Sequence, residues 1–208
     1  PGAIVMTRHE SSLHNVLENL KNDGYQLPTP IMYRYACQIA GALEFLHEDQ
    51  KLVHRDLKPR NILIRQSQRR LIGGLKQLME TGAVLADLGV AVSAHQSADV
   101  GLRQDGWKAP EIEDDNPAYR SHPAQDLYSF GRILKALRDA AKAEIDSFDQ
   151  LIDDCLQADP ESRPNAKAVV ERLMLNTERF TASLEGRLGH LRAILQDSVQ
   201  AAGCQRGE

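Results

Sequence analysis

The sequence predicts a mainly α-helical fold with one small β-hairpin. Three observations carry that expectation. Apolar residues recur at helical spacing through most of the chain. Helix-opening residues (Ser11-Ser12, Thr29-Pro30, Pro123, Asn165) stand in front of those periodic segments. Two short apolar runs, at 62–64 and 83–86, have strand length and can pair with each other. At 208 residues the chain is one domain or one large lobe of a domain, long enough to bury about 70% of its unfolded surface.

In chain order, Ala3-Ile4-Val5-Met6 reads as a short strand that passes at once into polar Thr7 to Ser12. Ser11 or Ser12 can cap a helix whose apolar positions Leu13, Val16, Leu17 and Leu20 share one face, and Gly24 stops it. Thr29-Pro30 is a cap-plus-first-turn pair, opening a helix with Ile31, Tyr35, Ile39, Leu43 and Leu46 along one side. Between the two hairpin strands, Leu71, Leu75, Leu78 and Met79 have the spacing of a short amphipathic helix. Pro123-Ala124-Gln125 opens a helix with apolar residues all round (Leu127, Phe130, Ile133, Leu134, Leu137), as burial on every side requires. Phe148, Leu151, Ile152, Cys155 and Leu156 mark the next helix. Asn165 caps another, with Val169, Val170 and Leu173 inward. Phe180, Leu184, Leu188, Leu191, Leu195 and Val199 then describe a C-terminal amphipathic helix, weakened by Gly186 and Gly189 at ~1 kcal/mol each.

Bulk properties exclude several function classes. A net charge of −4 gives no reason to expect nucleic acid or an anionic membrane as partner, and Arg65, Arg69 and Arg70 read as a solvated face. No apolar run approaches the ~20 residues of a membrane span, and no signal-peptide pattern opens the chain. Cys37, Cys155 and Cys204 lack metal-site spacing; Cys37 and Cys155 sit in apolar helical patterns and read as small buried residues of a reducing compartment. A cytoplasmic or nuclear protein is expected.

The densest chemistry lies in Leu52-Val53-His54-Arg55-Asp56-Leu57-Lys58-Pro59-Arg60-Asn61-Ile62-Leu63-Ile64. An acid, an ammonium and an amide stand there at offsets 0, +2 and +5, between apolar residues that can anchor a loop. A phosphoryl transfer needs such groups: a carboxylate to take the hydroxyl proton, a cation for the migrating phosphate, and a neutral oxygen for a metal ion. The run matches H-R-D-L-x-x-x-N. Asp87-Leu88-Gly89 follows where D-F-G would stand, Ala109-Pro110-Glu111 matches A-P-E, and Asp126-Leu127-Tyr128-Ser129-Phe130-Gly131 has the form of a central-helix start. Cys155-Leu156 with Asp159-Pro160-Glu161-Ser162-Arg163-Pro164 completes the order. The chain therefore resembles the eukaryotic-type protein kinase family over roughly residues 3 to 175, and Lys58-Pro59 resembles its serine/threonine branch.

That resemblance implies the helical large C-terminal lobe of a kinase. Residues 1–10 would be the last small-lobe strand and hinge, and 11–175 the C-lobe, with catalytic loop 54–61, insertion 66–82 and activation segment 87–111; 176–208 would be an added C-terminal helix and tail. The segment from Lys135 to Ser147 is too short for the loop and additional helix that the family places there. ATP and Mg2+ (or Mn2+) are the implied cofactors. Asp56 would be the general base and Lys58 the phosphate cation. Asn61 and Asp87 would be the metal ligands, through hard oxygens. Met6 would back the adenine pocket, Thr7 to His9 would offer hinge backbone groups to the ring, and Leu63 would form the floor beneath it. His54 and Leu88 match an apolar regulatory column, with Leu88 as its plug. Glu111 and Arg163 match a buried ion pair, and Asp126 an acceptor for catalytic-loop backbone. Arg55 precedes the base as in kinases ordered by activation-segment phosphorylation, for which Ser93 and Ser97 supply hydroxyls; a solvated loop serine is the competing reading of each. Gln104 stands where a threonine that bonds the base is usual, and Arg60 argues against a preference for upstream arginine.

The implied activity is ATP- and Mg2+-dependent phosphorylation of protein serine or threonine. No match to a glycine-rich phosphate loop, to the V-A-I-K lysine or to its glutamate partner occurs in this sequence. The small lobe is therefore expected from the same or another chain, and these residues alone are expected not to transfer phosphate. The alternative is a pseudokinase-like binding or scaffold domain. The complete set Asp56, Lys58, Asn61 and Asp87 argues against it, while Gln104 and the shortened 135–147 connection argue for it.

Overall fold

The computed structural model describes residues 11–65, 81–94, 106–112, 121–183 and 185. The expectations placed on 1–10, on the amphipathic segment before Thr81, on Ser97, Gln104 and Cys204, and on the C-terminal stripe past 185 lie outside the described residues. The fold is mainly helical, and the chain forms two compact units, Pro1–Leu173 and Met174–Glu208. Of the second unit, residues 174–183 are helical.

In the first unit, Ser11–Ser12 form a short strand β1 and Leu13–Asn22 form helix α1. Ser12 has extended backbone, and its hydroxyl accepts from the Asn15 amide at 3.3 Å, which satisfies one of the helix's orphan donors. Gly24 ends the helix with φ 72°, a left-handed value that suits glycine. Helix α2 spans Thr29–Glu44. Its cap is Pro28, one residue earlier than the sequence predicts: the Pro28 carbonyl accepts from Ile31 and Met32, and Thr29 is already helical. Ile31, Tyr35, Ile39 and Leu43 are all buried along the expected face. Cys37 is only half-buried, because it lies beside exposed Gln38 at the margin of that face. The helix then widens into a π-turn over Phe45–Asp49, where the Gln50 amide reaches back to the Phe45 carbonyl.

Strands β2 (Leu52–Val53), β3 (Ile62–Arg65), β4 (Gly82–Leu85) and β5 (Val92–Ser93) follow. The expected hairpin is present as β3 against β4, antiparallel, with Leu63 opposite Val84. It gains a third strand that the sequence does not announce: β1 pairs with β3, Ser11 opposite Ile64 and Ser12 opposite Leu63. Two serines before a helix carry a cap signal and no strand signal, so only the pairing partner makes them β. A separate ribbon joins β2 to β5. The start of β4 is docked on α2, where Gln38 accepts from the Ala83 amide at 2.8 Å and the Tyr35 hydroxyl bonds that of Thr81 at 2.5 Å. Burial holds the Tyr35 hydroxyl above the usual tyrosine pKa, against the smaller opposing effect of that bond.

Helix α3, Pro123–Ala141, is the centre of the core: Leu127, Phe130, Ile133, Leu134 and Leu137 are buried, each contributing about 1.5–3 kcal/mol. It ends at Lys142 in a left-handed conformation (φ 48°), and helix α4 begins at Asp146, Asp146–Cys155. Residues 142–145 are all that join them, so no further helix intervenes. Phe148 meets Tyr33 edge-to-face at 5.4 Å. Cys155 is fully buried, and desolvation pushes its thiol up to about 12. Asn165 caps the helical residues 166–173 by accepting from the Ala168 amide, and Val169 and Leu173 are buried.

Gly131 makes the contact between α3 and α4 possible. A Cβ there would lie 2.8 Å from Cys155 Cβ and 3.0 Å from Leu156 Cδ2, whereas one at Gly41 on α2 would meet nothing within 4 Å. The two glycine-to-alanine substitutions should therefore have opposite signs. Gly131→Ala should destabilise by about 1–3 kcal/mol through overpacking, and Gly41→Ala should stabilise by about 0.4–1 kcal/mol through unfolded-state entropy. Thermal melts of both variants check this; equal signs would show that α3 and α4 do not meet so closely.

Candidate active site

The loop from His54 to Asn61 is slung between β2 and β3 and held from below by the first turn of α3. Asp126 there is 1% exposed. Its Oδ2 accepts from the His54 amide at 2.7 Å and its Oδ1 from the Arg55 amide at 2.9 Å. His47 Nε2 adds a third bond at 2.8 Å, so the buried carboxylate is fully engaged, as a charge out of water must be. Arg55 adopts φ 71°, a strained value for a non-glycine residue, stabilised by that amide bond and by its guanidinium donating to the Val90 carbonyl at 3.2 Å.

His54 is wholly buried. Its Nε2 faces the Ala86 carbonyl at 3.0 Å, and its Nδ1 accepts from the Asp56 amide at 3.3 Å. Those two partners assign the ring proton to Nε2. The ring thereby bolts the loop to the strand that leads into Asp87. A second bolt is backbone: the Ala86 amide donates to the Asn61 carbonyl at 2.9 Å.

At the mouth of the loop three side chains converge. Lys58 Nζ lies 2.8 Å from Asp56 Oδ1, and Asn61 Nδ2 donates to Asp56 Oδ2 at 2.9 Å and to the Asp56 carbonyl at 2.8 Å. Asp56 and Lys58 keep 19% and 24% of their side-chain surface, enough for a reactant to reach. With its nitrogen committed to Asp56, Asn61 presents its oxygen elsewhere. Asp87 is exposed, with φ 67°. A Cβ on Gly89 would come within 3.3 Å of Asp87 Oδ1, so a bulkier residue would crowd that carboxylate. The Asn61 oxygen and the Asp87 carboxylate are hard, sparse donors of the kind that suits Mg2+ when phosphates complete its shell. Among the described residues no cluster of three or more His, Cys, Asp or Glu could hold a metal ion.

Glu111 and Arg163 form a bidentate pair at 2.7 and 2.8 Å. The Arg163 guanidinium also donates to the carbonyls of Gln157, Ala124 and Ala158 and lies 5.0 Å from the Tyr128 ring centre. Leu63 is half-buried, on the sheet face opposite Ile62 and Ile64. Ser93 is exposed in β5, opposite Leu52. Met6, Thr7, His9 and Ser97 lie outside the described residues. Leu88, expected as an apolar plug, is 51% exposed; it directly follows Asp87, whose backbone is left-handed. The functional group that sequence reading missed is His47. A strict helical period runs out of phase at the π-turn, whose extra residue swings His47 inward to Asp126.

A family model described as the protein kinase domain matches residues 3–141. Human mitogen-activated protein kinase kinase kinase 10 is 26% identical over 178 residues, covering 72% of this chain and 18% of that protein. The leucine-rich repeat receptor-like serine/threonine/tyrosine-protein kinase SOBIR1 of Arabidopsis thaliana is 30% identical over 135 residues, 62% of this chain and 19% of that protein. Mouse megakaryocyte-associated tyrosine-protein kinase is 25% identical over 198 residues, 83% of this chain and 36% of that protein. The chain thus spans about a fifth to a third of the length of these relatives. The match to the family model, over most of the first unit and the whole His54–Asn61 loop, places the chain in the protein kinase family.

Proposed function

We propose that the full-length protein transfers the γ-phosphoryl group of ATP to serine or threonine hydroxyls of protein substrates, and that this chain is its catalytic C-lobe. The observation that carries the reading is the Asp56–Lys58–Asn61 constellation, held on Asp126 and His54. Asp56 accepts the proton of the substrate hydroxyl. Lys58, whose Nζ lies 2.8 Å from Asp56 Oδ1, offers its ammonium to the oxygens of the migrating phosphoryl group. Asn61 orients Asp56 through its amide nitrogen, and its oxygen together with the Asp87 carboxylate would hold Mg2+. Bound there, the ion would neutralise phosphate charge. Leu63, with Met6 and the hinge at Thr7 to His9, borders the adenine. A small lobe from the same or another chain supplies the opposite wall of the nucleotide cleft, so residues 1–208 alone are inactive in this reading. Lys58-Pro59 supports a serine/threonine acceptor.

The test is incorporation of labelled phosphate by the full-length protein with ATP and Mg2+, followed by phosphoamino-acid analysis. Phosphoserine or phosphothreonine is expected. Phosphotyrosine alone would overturn the acceptor class, and incorporation no greater than that of Asp56→Asn would favour the scaffold reading.

A further inference from the structure

Helix α3 carries apolar residues all round, yet one strip of it stays in water. Gly131, Ile133, Leu134 and Leu137 are buried, whereas Arg132, Lys135 and Asp139 on the same turns are exposed, as is Lys142 at the helix end. These four stand three or four residues apart and so share one face. From Arg132 to Lys142 the strip runs ~15 Å at the rise of an α-helix. Toward α1, Ala136 and Lys142 share a cavity of about 490 Å3 with Leu17 and Leu20. Toward α4, the Arg138 guanidinium bonds the Asp149 carboxylate.

The charges on this strip do not cancel. Arg138 answers two acids, Asp139 at 2.9 Å and Asp149 at 2.8 Å, and on α1 Lys21 stands one turn from Glu18. Among the described residues Arg132, Lys135 and Lys142 are left without an acid, and Glu144, past the helix end, pairs with none of them. Lys142 carries a second signal. Its φ of 48° is left-handed, the conformation on which helices end with glycine. A lysine stands there against the backbone preference, and its ammonium is what it adds.

Such a row of cations, on a chain of net charge −4, attracts anionic groups locally. A small anion would meet only one or two of the three. A long uniform polyanion would overrun the strip, and Asp146 and Asp153 of α4, with Asp159 beyond it, are exposed on that flank and would repel it. A polypeptide can set carboxylates over α3 and neutral or basic groups over α4. We propose that the strip of Arg132, Lys135 and Lys142 is a docking surface for an acidic segment of a partner protein, with carboxylates at helical spacing. That partner binds without being the phosphate acceptor, and the inference does not depend on the reading of Asp56.

The probe is a fluorescein-labelled peptide of about twelve residues, an Ala-Gln helix with a glutamate every three to four positions. It is compared with its Gln counterpart, single-stranded DNA of similar length and phosphatidylserine vesicles, all against the full-length protein without nucleotide. Fluorescence anisotropy should show the Glu peptide bound about tenfold tighter than the Gln peptide at low salt, an advantage that narrows as salt rises. Lys142→Gly should remove most of that advantage and leave the melting temperature unchanged or higher, because glycine suits the left-handed backbone. Arg132→Ala combined with Lys135→Ala, two exposed side chains, should remove it as well. Lys167→Ala, exposed on the 166–173 helix, should keep it. Equal binding of the Glu and Gln peptides, or an advantage that survives both Lys142→Gly and the double variant, would overturn the proposal. So would tighter binding of the DNA or the vesicles than of the Glu peptide. Self-association of the wild-type protein that the double variant abolishes would make a second copy the occupant and overturn it too.

Discussion

Asp56→Asn should lower phosphate transfer by the full-length protein by ~10²–10⁴-fold, the contribution of a positioned general base, with the fold retained. The change is isosteric, and Asp56 is partly open to solvent, so the core does not feel it. Locally it replaces one acceptor by an amide donor facing Lys58 Nζ or Asn61 Nδ2, which costs a hydrogen bond and leaves the backbone bonds of His54 and Arg55 to Asp126 untouched. Asp87→Asn should fall in the same range for a different reason, weaker electrostatic stabilisation of the phosphates through the metal ion. The two defects should separate in Mg2+ titrations. Raising Mg2+ should partly rescue Asp87→Asn and leave Asp56→Asn unchanged. Wild-type rates in both variants would remove these residues from the chemistry.

Glu111→Ala should destabilise the protein by ~3 kcal/mol, the low end of the range for stranding a buried charge. The Arg163 side chain is 0% exposed and Glu111 24%, so the guanidinium cannot turn to water when its carboxylate is lost. The three carbonyls of Gln157, Ala124 and Ala158 still accept from it, which keeps the loss from being larger. At ~2–4 °C per kcal/mol for a chain of this size, the melting temperature should fall by roughly 6–12 °C. Glu111→Gln should lose less, since it keeps an acceptor. Combining Glu111→Ala with Arg163→Met should be less damaging than the sum of the single changes, because the double variant leaves no buried charge unpaired. Strict additivity in that cycle would mean that the pair carries no coupling.

Local chemistry and periodicity are what the sequence by itself determined. The buried faces of α2, α3 and α4 follow from apolar residues spaced by the helical turn, because only that spacing lets one face leave water. The Asp56, Lys58 and Asn61 cluster was legible for a similar reason: all three sit on one short loop, where few backbone shapes are available and spacing nearly dictates geometry. Motif order added the longer-range pairs, with Asp126 lying 72 residues after His54 and Arg163 52 after Glu111. No local propensity connects either pair; the core of α3 brings them together.

Other features were decided only by the tertiary structure. Ser11 and Ser12 become a strand because β3 offers an open edge, and a strand signal can reside wholly in the partner. His47 reaches Asp126 because α2 loosens into a π-turn, which breaks the period on which a sequence reading depends. Leu88 is exposed and Leu17 and Leu20 line a cavity although all three are apolar. Hydrophobicity sets which side chains gain by leaving water, but only the packing of elements distant in sequence decides which of them find a neighbour.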